Sequence, residues 1–401
     1  MTAQVRPRLH APEAQSVAFV ELFFDLVFVF AVTQVTALTA HNLTPDGVLR
    51  SLVLFWMIWW AWTQFTWTLN PADTSHVVVR VITLAATASA FVMATTLSQA
   101  FLDDAVWFAL PYLVVRILGL SLQVLVEMER TNDPRAAGIW RWAGTSAIGL
   151  VLVLVGALAD PSIRPLIWVL AILTDLLATQ AASGRTWDIH VGHMAERHAL
   201  FVIIAIGESL IVAGTAVAAH ERTLDLVADS ALALLIACLL WWTYFGWFKE
   251  GLEEQLEGTA PKDIGVRVRD AYSLGHFPML FGIIGFAVGI EEIVAHPGDP
   301  LHSEVLIALG TGVALFVGFS AVVYWRISGT ILIGRIVALV VMAAGLALVG
   351  SLPPAWPLAV VAIALTAVVG WEHRWPPGGE HYLEDAATAR DQTVQQPDSS
   401  G

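Results

Sequence analysis

The stretch Glu21-Leu-Phe-Phe-Asp25-Leu-Val-Phe-Val-Phe30 places two carboxylates in what otherwise reads as the start of a membrane-spanning helix. Because Glu21 and Asp25 are four residues apart, a helix directs both side chains to nearly the same side. An ionised carboxylate facing lipid at the centre of a helix costs about 2.5–3.5 kcal/mol on insertion scales. We therefore expect Asp25 to face protein or water.

The composition of the whole chain indicates an integral membrane protein. Of 401 residues, 57% are hydrophobic and 13% are charged, whereas soluble proteins carry about 25% charged residues. The single cysteine, Cys238, excludes a disulfide within the chain and a cysteine metal cluster. The formal net charge is -14 and no basic patch of the kind that nucleic acid requires is present. The lipid bilayer is therefore the first partner that the sequence predicts.

Apolar runs of about 20 residues, the length that crosses a bilayer, predict an all-α membrane protein with twelve transmembrane helices. The predicted spans are 17–40, 47–69, 76–99, 105–127, 141–159, 165–182, 196–219, 226–248, 271–294, 303–326, 330–350 and 355–372. They divide the chain into a cytoplasmic N-terminal segment (1–16), a first six-helix half (17–182), a cytoplasmic linker (183–195), a second half (196–372) and a disordered acidic tail (373–401).

The distribution of Lys and Arg predicts the orientation in the membrane. With a cytoplasmic N-terminus, sixteen of the 20 Lys and Arg residues fall in inner connections, three (Arg50, Arg164 and Arg222) in outer connections, and Arg116 within a helix. An even number of spans then brings both termini to the cytoplasmic side.

Two parts of the sequence resemble each other and predict an internal duplication. The similarity joins Ala40-His41-Asn-Leu-Thr44-Pro-Asp46 and the later Trp59-Trp60-Ala-Trp62 to Ala219-His220-Glu-Arg-Thr223-Leu-Asp225 and the later Trp241-Trp242-Thr-Tyr244. Six spans separate the copies, an even number, so the two halves would be parallel pseudo-repeats. The alternative is that tryptophans gather at membrane interfaces without any duplication.

Several charged residues fall inside the predicted spans and are the candidates for function. At about 1.5 Å of rise per residue, Asp25 lies about 12 Å from the inner end of its helix, and Arg116, Asp175 and Glu208 lie about 15–18 Å from theirs. Three acids against one base leave at least one acid protonated, hydrated or holding a cation. The candidate ion, proton or substrate site comprises Glu21, Asp25, Arg116, Asp175, Glu196, Arg197, His198, Glu208 and His276. The alternative is a set of structural pairs, with Arg116 bound to Glu208 or Asp175.

Other patterns leave two interpretations open. Arg197 leads a charged path inward or anchors its helix at the interface. The residues His190, His193, Glu196 and His198 are weak candidates for a metal site, since no zinc-protease signature is present. His276 is a proton relay or a hydrogen-bonded helix-end histidine. The two tryptophan-rich stretches form an aromatic belt at the membrane surface or a wall around a cation or amphipathic substrate. Gly207 and Gly214 thin the helix beside Glu208 and would allow close packing there.

These residues resemble the bacterial low temperature requirement A family. The similarity rests on Glu21-Leu-Phe-Phe-Asp25-Leu-Val-Phe-Val, on Pro111-Tyr112-Leu-Val-Val-Arg116, and on Glu196-Arg197-His198 followed by Gly207-Glu208-Ser209, and it covers roughly residues 15–372. The resemblance implies a multi-pass protein of the bacterial plasma (inner) membrane. It implies no established substrate or reaction.

The pattern as a whole favours a secondary transporter coupled to protons or a cation, with a small-molecule or lipid substrate. In that interpretation Asp25 and Glu208 bind the ion, Arg116 is their counter-ion and Asp175 is a secondary member. The alternatives are a membrane-embedded enzyme acting on a lipid or isoprenoid, and a non-catalytic membrane protein that supports growth in the cold. The sequence carries no cofactor motif and favours a protein without enzymatic activity; no pattern in it specifies an oligomeric state.

Overall fold

The computed structural model describes residues 8–11, 16–131, 137–181, 188–219, 221 and 223–377, and these residues form helices without a β-strand. The all-α prediction is confirmed. The helices are α1 (Phe19–Ala40), α2 (Pro45–Leu69), α3 (Val77–Thr95), α4 (Val106–Thr131), α5 (Ala137–Leu158), α6 (Arg164–Ala181), α7 (Val191–Ala219), α8 (Leu224–Phe245), α9 (Phe248–Glu257), α10 (Ile264–Val268), α11 (His276–Ala295), α12 (Ser303–Ser328), α13 (Ile333–Val349) and α14 (Ala355–Arg374).

Within the described residues, nine helical segments are long and apolar enough to cross a membrane. Helices α2, α6 and α13 are not among these nine, so the count of twelve spans stays a prediction. Helix α2 has a physical reason to be less apolar than its neighbours. Most of its residues, including Thr63, Gln64, Thr66 and Thr68, are buried against protein, so lipid does not require them to be hydrophobic.

Some predicted segments lie outside the described residues. They are most of the N-terminal segment, the connection at 132–136, the first part of the linker, His220, Arg222 and the acidic tail from residue 378 onward.

Several helices differ from the boundaries that the sequence predicts, and two of these differences concern α7 and α9. Helix α7 begins at Val191 rather than at 196, because its first turns carry polar residues that α1 binds. Helix α9 follows α8 and was not predicted. Its buried residues Phe248, Leu252 and Leu256 are four apart, so one apolar stripe packs inward while the charged residues face outward.

The candidate functional site, described below, lies among helices α1, α2, α7 and α11, which all pack against one another. Helix α1 packs against α2, α7 and α11, and α2 also packs against α7 and α11. Helix α11 lies very close to α12. A Cβ atom added at Gly282 would lie only 2.4 Å from the backbone oxygen of Gly312. These glycines let two backbones approach each other where a side chain would not fit.

A short π-helical segment, Arg269–Leu274, joins α10 to α11. Its register is wider than that of an α-helix, as shown by the 3.0 Å hydrogen bond from the Gly275 N–H to the Asp270 carbonyl. Two tryptophans of α2 bind this segment: Trp59 donates to the Ser273 carbonyl at 2.6 Å and Trp67 to the Ser273 hydroxyl at 2.8 Å. Segments of this kind often accompany functional sites.

Candidate functional site

Both carboxylates of the first helix are completely buried. Glu21 and Asp25 have 0% of their surface exposed. Glu21 lies in the first turn of α1, where its Oε2 accepts the Ala18 N–H at 2.9 Å and so satisfies one of the free amides at the helix start. Asp25 lies one turn further along the same face. The four-residue spacing correctly predicts that the two side chains lie on the same side of α1, and that side faces protein.

Arg197 of α7 binds both carboxylates. Its Nη1 donates to Glu21 Oε1 at 3.2 Å, its Nε donates to Asp25 Oδ2 at 3.4 Å, and its Nη2 donates to Asp25 Oδ1. The guanidinium is itself fully buried. The interpretation of Arg197 as an interfacial anchor is therefore wrong, because its charge is matched by two acids inside the protein.

His193 completes this group from one turn earlier on α7. Its Nε2 lies 3.2 Å from Glu21 Oε2, and its Nδ1 lies 3.4 Å from the Asn70 amide nitrogen. The orientation of Asn70 is fixed by two backbone bonds of 2.9 Å, since its oxygen accepts the His190 N–H and its nitrogen donates to the His190 carbonyl. Asn70 therefore donates to Nδ1, and His193 donates its Nε2–H to Glu21 as a neutral imidazole.

The group formed by Glu21, Asp25, Arg197 and His193, hereafter the carboxylate cluster, is not electrically balanced. Two ionised carboxylates and one guanidinium give a net charge of minus one when the imidazole is neutral. A buried excess charge is costly unless a further cation neutralises it. One bound proton is the smallest group that balances this cluster.

Trp62 closes the carboxylate cluster on the side of α2. Its indole N–H donates to Asp25 Oδ1 at 2.6 Å, and its ring faces the Arg197 guanidinium at 5.5 Å. Trp59 and Trp62 are fully buried. The interpretation of this stretch as a surface belt is thus wrong for these two residues, whereas Trp241 and Trp242 of the second stretch are exposed, as an aromatic belt requires.

A row of aromatic and imidazole rings continues from Trp62 into the second half of the chain. The His198 ring meets Trp62 edge to face at 4.9 Å between centroids and lies 4.7 Å from Tyr272. His276 lies 5.2 Å from both His198 and Tyr272, and its Nε2 bonds to the Tyr244 hydroxyl at 2.8 Å. This places the candidates His198 and His276 side by side. The structure adds Tyr272, which the sequence does not single out.

Arg116 and Asp175 form a separate buried pair. Arg116 donates two hydrogen bonds to the Asp175 carboxylate, at 2.8 and 3.1 Å, and a third to the Tyr112 hydroxyl at 2.9 Å. Helix α2 packs against both α4 and α6 beside this pair. Arg116 is therefore the counter-ion of Asp175. Its expected role as counter-ion of Asp25 and Glu208 is wrong, since Arg197 occupies that position at Asp25.

The remaining candidates are not brought into the carboxylate cluster. Glu208 is partly exposed and lies eleven residues beyond Arg197 on α7, which is about 16 Å of helix rise. A Cβ atom at Gly207 or Gly214 would meet nothing within 4 Å, so among the described residues no helix makes the close approach to α7 beside Glu208 that the sequence predicts. Glu196 is exposed and accepts the Val17 N–H at 3.5 Å.

The residues that the sequence offered as weak candidates for a metal site have different neighbours and do not converge on one point. His193 binds Glu21, His198 lies among aromatic rings, and Glu196 faces outward. In the described part of the chain, no group of three or more His, Cys, Asp or Glu residues could hold a metal ion.

A third buried ion pair was not predicted. Arg335 of α13 bonds to Glu372 of α14 at 2.6 and 3.1 Å, and Trp247 donates to the same carboxylate at 2.7 Å. Both charged residues lie near the ends of apolar runs, where charges at the membrane surface are also common, so the sequence does not distinguish them as a buried pair.

These features define an all-α protein with several helices that are long and apolar enough to cross a membrane, and with a buried cluster of two carboxylates and one guanidinium. The chain belongs to the bacterial low temperature requirement A protein (LtrA) family, whose sequence model matches residues 16–370. It is similar to the uncharacterized protein RA0937 of Rhizobium meliloti (strain 1021), with 29% identity over 289 residues that cover 70% of each chain. No solved structure matches the chain.

Proposed function

We propose that this protein is a proton-coupled secondary transporter and that the carboxylate cluster is its proton-binding site. The observation that carries the proposal is the pairing of two fully buried carboxylates with a single guanidinium. A proton bound at Glu21 or Asp25 neutralises the excess charge. The substrate would be a small molecule or a lipid.

Proton binding at this cluster would change the contact between two helices. The ion pairs from Arg197 to Glu21 and Asp25 join α7 to α1. Protonation of either carboxylate removes one ionic attraction and leaves the other carboxylate as the charged partner of Arg197. A ligand that binds one arrangement of two elements more tightly shifts their equilibrium, and this is the coupling that a proton-driven transport cycle needs.

The packing of the helices supports an internal duplication with this site at its centre. In the first half, the packed pairs are α1–α3, α3–α4, α4–α5 and α5–α6; in the second half they are α7–α11, α11–α12, α12–α13 and α13–α14. The contacts of α2 with α4 and α6 are likewise matched by those of α8 with α12 and α14. The cluster thus joins the first helices of the two halves, α1 and α7, and repeat interfaces are where many transporters bind ions.

The starts of α2 and α8 support the same correspondence. The Thr44 hydroxyl accepts the Gly47 N–H at 3.1 Å, and the Thr223 hydroxyl accepts the Leu226 N–H at 3.2 Å. Both are N-caps made by the same residue type at the matching place. With this duplication we propose twelve spans, both termini in the cytoplasm and residence in the bacterial inner membrane.

Proton movement across proteoliposomes tests the proposed function. The purified protein is reconstituted with a pH-sensitive dye in the lumen, and a potassium diffusion potential drives protons inward. We expect flux from the wild type and only the leak of protein-free vesicles from Glu21→Gln and Asp25→Asn. The matched control is Glu304→Gln, which changes an exposed acid in the first turn of α12. Each variant is first checked for a single peak in gel filtration.

The result also separates the proposal from the alternative of a lipid enzyme. Equal flux from the wild type and both cluster variants contradicts the proposed site. If the wild type carries no flux and a copurified lipid changes mass during incubation, the transporter assignment is replaced by an enzymatic one.

A further inference from the structure

The rings of Trp62, His198, Tyr272, His276 and Tyr244 form one row, hereafter the ring row. Two buried polar atoms in it have no hydrogen-bond partner among the residues that the structure describes. They are Nε2 of His198 and the hydroxyl of Tyr272. His198 has 0% of its surface exposed and Tyr272 has 1%. Buried polar atoms are almost always paired with protein or ordered water, so two open atoms on neighbouring rings call for an explanation.

The two atoms have complementary roles. His198 Nδ1 lies 2.8 Å from the Met194 carbonyl, which can only accept. The imidazole proton is therefore on Nδ1, and Nε2 is an open acceptor. The Tyr272 hydroxyl can donate as well as accept. A donor and an acceptor left open on rings 4.7 Å apart match the two sides of one water molecule.

The neighbouring histidine, His276, has a hydrogen-bond partner at each of its two ring nitrogens. His276 Nδ1 bonds to the Ala271 carbonyl at 2.9 Å, and Nε2 accepts the Tyr244 hydroxyl at 2.8 Å. His276 thus has both nitrogens occupied. His198 has the same type of Nδ1 bond to its own helix but no partner at Nε2, so it alone of the two can take up a proton without breaking an existing bond.

Aromatic rings and one guanidinium surround His198. Trp59 and Trp62 meet its ring edge to face at 5.8 and 4.9 Å, within the distance at which the face of an aromatic ring attracts a cation. The groups that face it from the other helices are Tyr272 and His276, both neutral. On its own helix Arg197 opposes the charge, but that guanidinium is matched by Glu21 and Asp25.

We propose that His198 Nε2 and the Tyr272 hydroxyl bind one water molecule, and that His198 is a second proton-binding residue beside the carboxylate cluster. This inference rests on the proposed function. In the step we assign to it, a carboxylic acid of the cluster loses its proton and becomes a carboxylate. The proton adds to Nε2 and forms an imidazolium, with its Nδ1–H still bonded to Met194; no other bond forms or breaks. The π-helical segment, held by Trp59 at Ser273, positions Tyr272 for this contact.

Nitrogen NMR of the full-length protein in bilayers tests the water site without relying on transport. The protein carries ¹⁵N-labelled histidine, and the His198 signals are assigned by their loss in His198→Gln. We expect the Nε2 signal of a hydrogen-bonded nitrogen with a cross-peak to water, and a shift toward the value of a free imine nitrogen in Tyr272→Phe. A free imine signal in the wild type that does not change in Tyr272→Phe overturns the site.

Proton flux and thermal stability then test the second proton-binding role. Tyr272→Phe removes only the hydroxyl, and Tyr324→Phe is the matched control because Tyr324 lies outside the ring row. We expect Tyr272→Phe to lose proton flux without a lower melting temperature, and Tyr324→Phe to keep flux. If Tyr272→Phe keeps the flux of the wild type and has a higher melting temperature, the role is overturned. That result would show that Tyr272 carries an unsatisfied buried hydroxyl whose removal stabilises the protein. If the wild type itself carries no flux, the proposed function fails, and the nitrogen spectrum still decides the water site.

Discussion

Arg197 and Asp25 form a two-point contact between α7 and α1, with Nε donating to Oδ2 at 3.4 Å and Nη2 donating to Oδ1. Both side chains are fully buried. The two residues are 172 positions apart in the chain, so their contact holds α7 against α1. It also determines how the protein responds to loss of either partner.

Removal of the guanidinium should destabilise the protein more than removal of either acid. Arg197→Gln leaves Glu21 and Asp25 buried without a cation, whereas Asp25→Asn leaves Arg197 bound to Glu21. Breaking a buried pair by removing one partner costs about 3–5 kcal/mol, and we expect Arg197→Gln to reach this range. Thermal unfolding in detergent measures the order.

The control for this prediction is Lys249→Gln. Lys249 pairs with Glu253 at 2.8 Å at a partly exposed position, where a pair contributes about 0.3–0.5 kcal/mol. A loss in Arg197→Gln no larger than in this control would contradict a buried ion pair.

Trp62 should be energetically coupled to Asp25. Trp62→Phe removes the indole N–H that donates to Oδ1 at 2.6 Å. A hydrogen bond to a charged group contributes about 1.5–3 kcal/mol. In a double-mutant cycle with Asp25→Asn we expect an interaction free energy in the range of about 0.5–3 kcal/mol. Additive effects of the two substitutions would show that the bond does not form, and Trp241→Phe, at an exposed position, should have little effect on stability.

Glycine-to-alanine substitutions should lower stability where two helices are in close contact and should not lower it where the helix surface is open. A Cβ atom at Gly312 would lie 2.6 Å from the backbone oxygen of Gly282 and the same distance from the Phe286 nitrogen. Because backbone atoms cannot rotate away, we expect Gly312→Ala to lower stability by about 1–3 kcal/mol. At Gly207 the space is open, so Gly207→Ala should be neutral or stabilising by up to about 1 kcal/mol. Equal effects at both positions in thermal unfolding would contradict the α11–α12 contact.

His190 gives a prediction for pH. It precedes α7, and burial lowers its pKa from the ordinary value of 6.5, an effect that the nearby Asp188 carboxylate opposes. The unfolded chain therefore binds this proton more readily, and stability falls as the pH drops below 6.5 and through the lowered pKa of the folded state. We expect His190→Gln to show a shallower loss of stability between neutral and acidic pH than the wild type. Parallel curves for the two proteins would contradict the burial of this ring.

The sequence correctly predicts those features of this protein that depend on residues close together in the chain. Apolar runs locate the long helices, because a span needs local length and hydrophobicity, and the four-residue spacing of Glu21 and Asp25 correctly gives them a common side. The partner of each charge depends instead on which helices are adjacent. No spacing rule selects Arg197 over Arg116 as the partner of Asp25, or removes Glu208 from the cluster.

Other parts of the site depend on geometry that a sequence pattern does not contain. Asn70 looks like an ordinary turn residue before Pro71, yet it sets the tautomer of His193 through two bonds to His190. Trp62 reads as a belt residue, because tryptophan is common at membrane surfaces. Tyr272 reaches the ring row through a π-helical turn, and its sequence, Arg-Asp-Ala-Tyr-Ser-Leu, carries no known signal for that register.

The most direct test of the account is whether the carboxylate cluster holds a proton. Infrared difference spectra of the protein in bilayers, recorded between alkaline and acidic pH, report carboxylic acid groups through their C=O stretch. Acids outside the cluster titrate alike in the wild type and in the double variant Glu21→Gln/Asp25→Asn, and their bands cancel in the comparison. We predict one carboxylic acid band that the wild type gains and the double variant lacks. Identical difference spectra would contradict a proton site at Glu21 and Asp25.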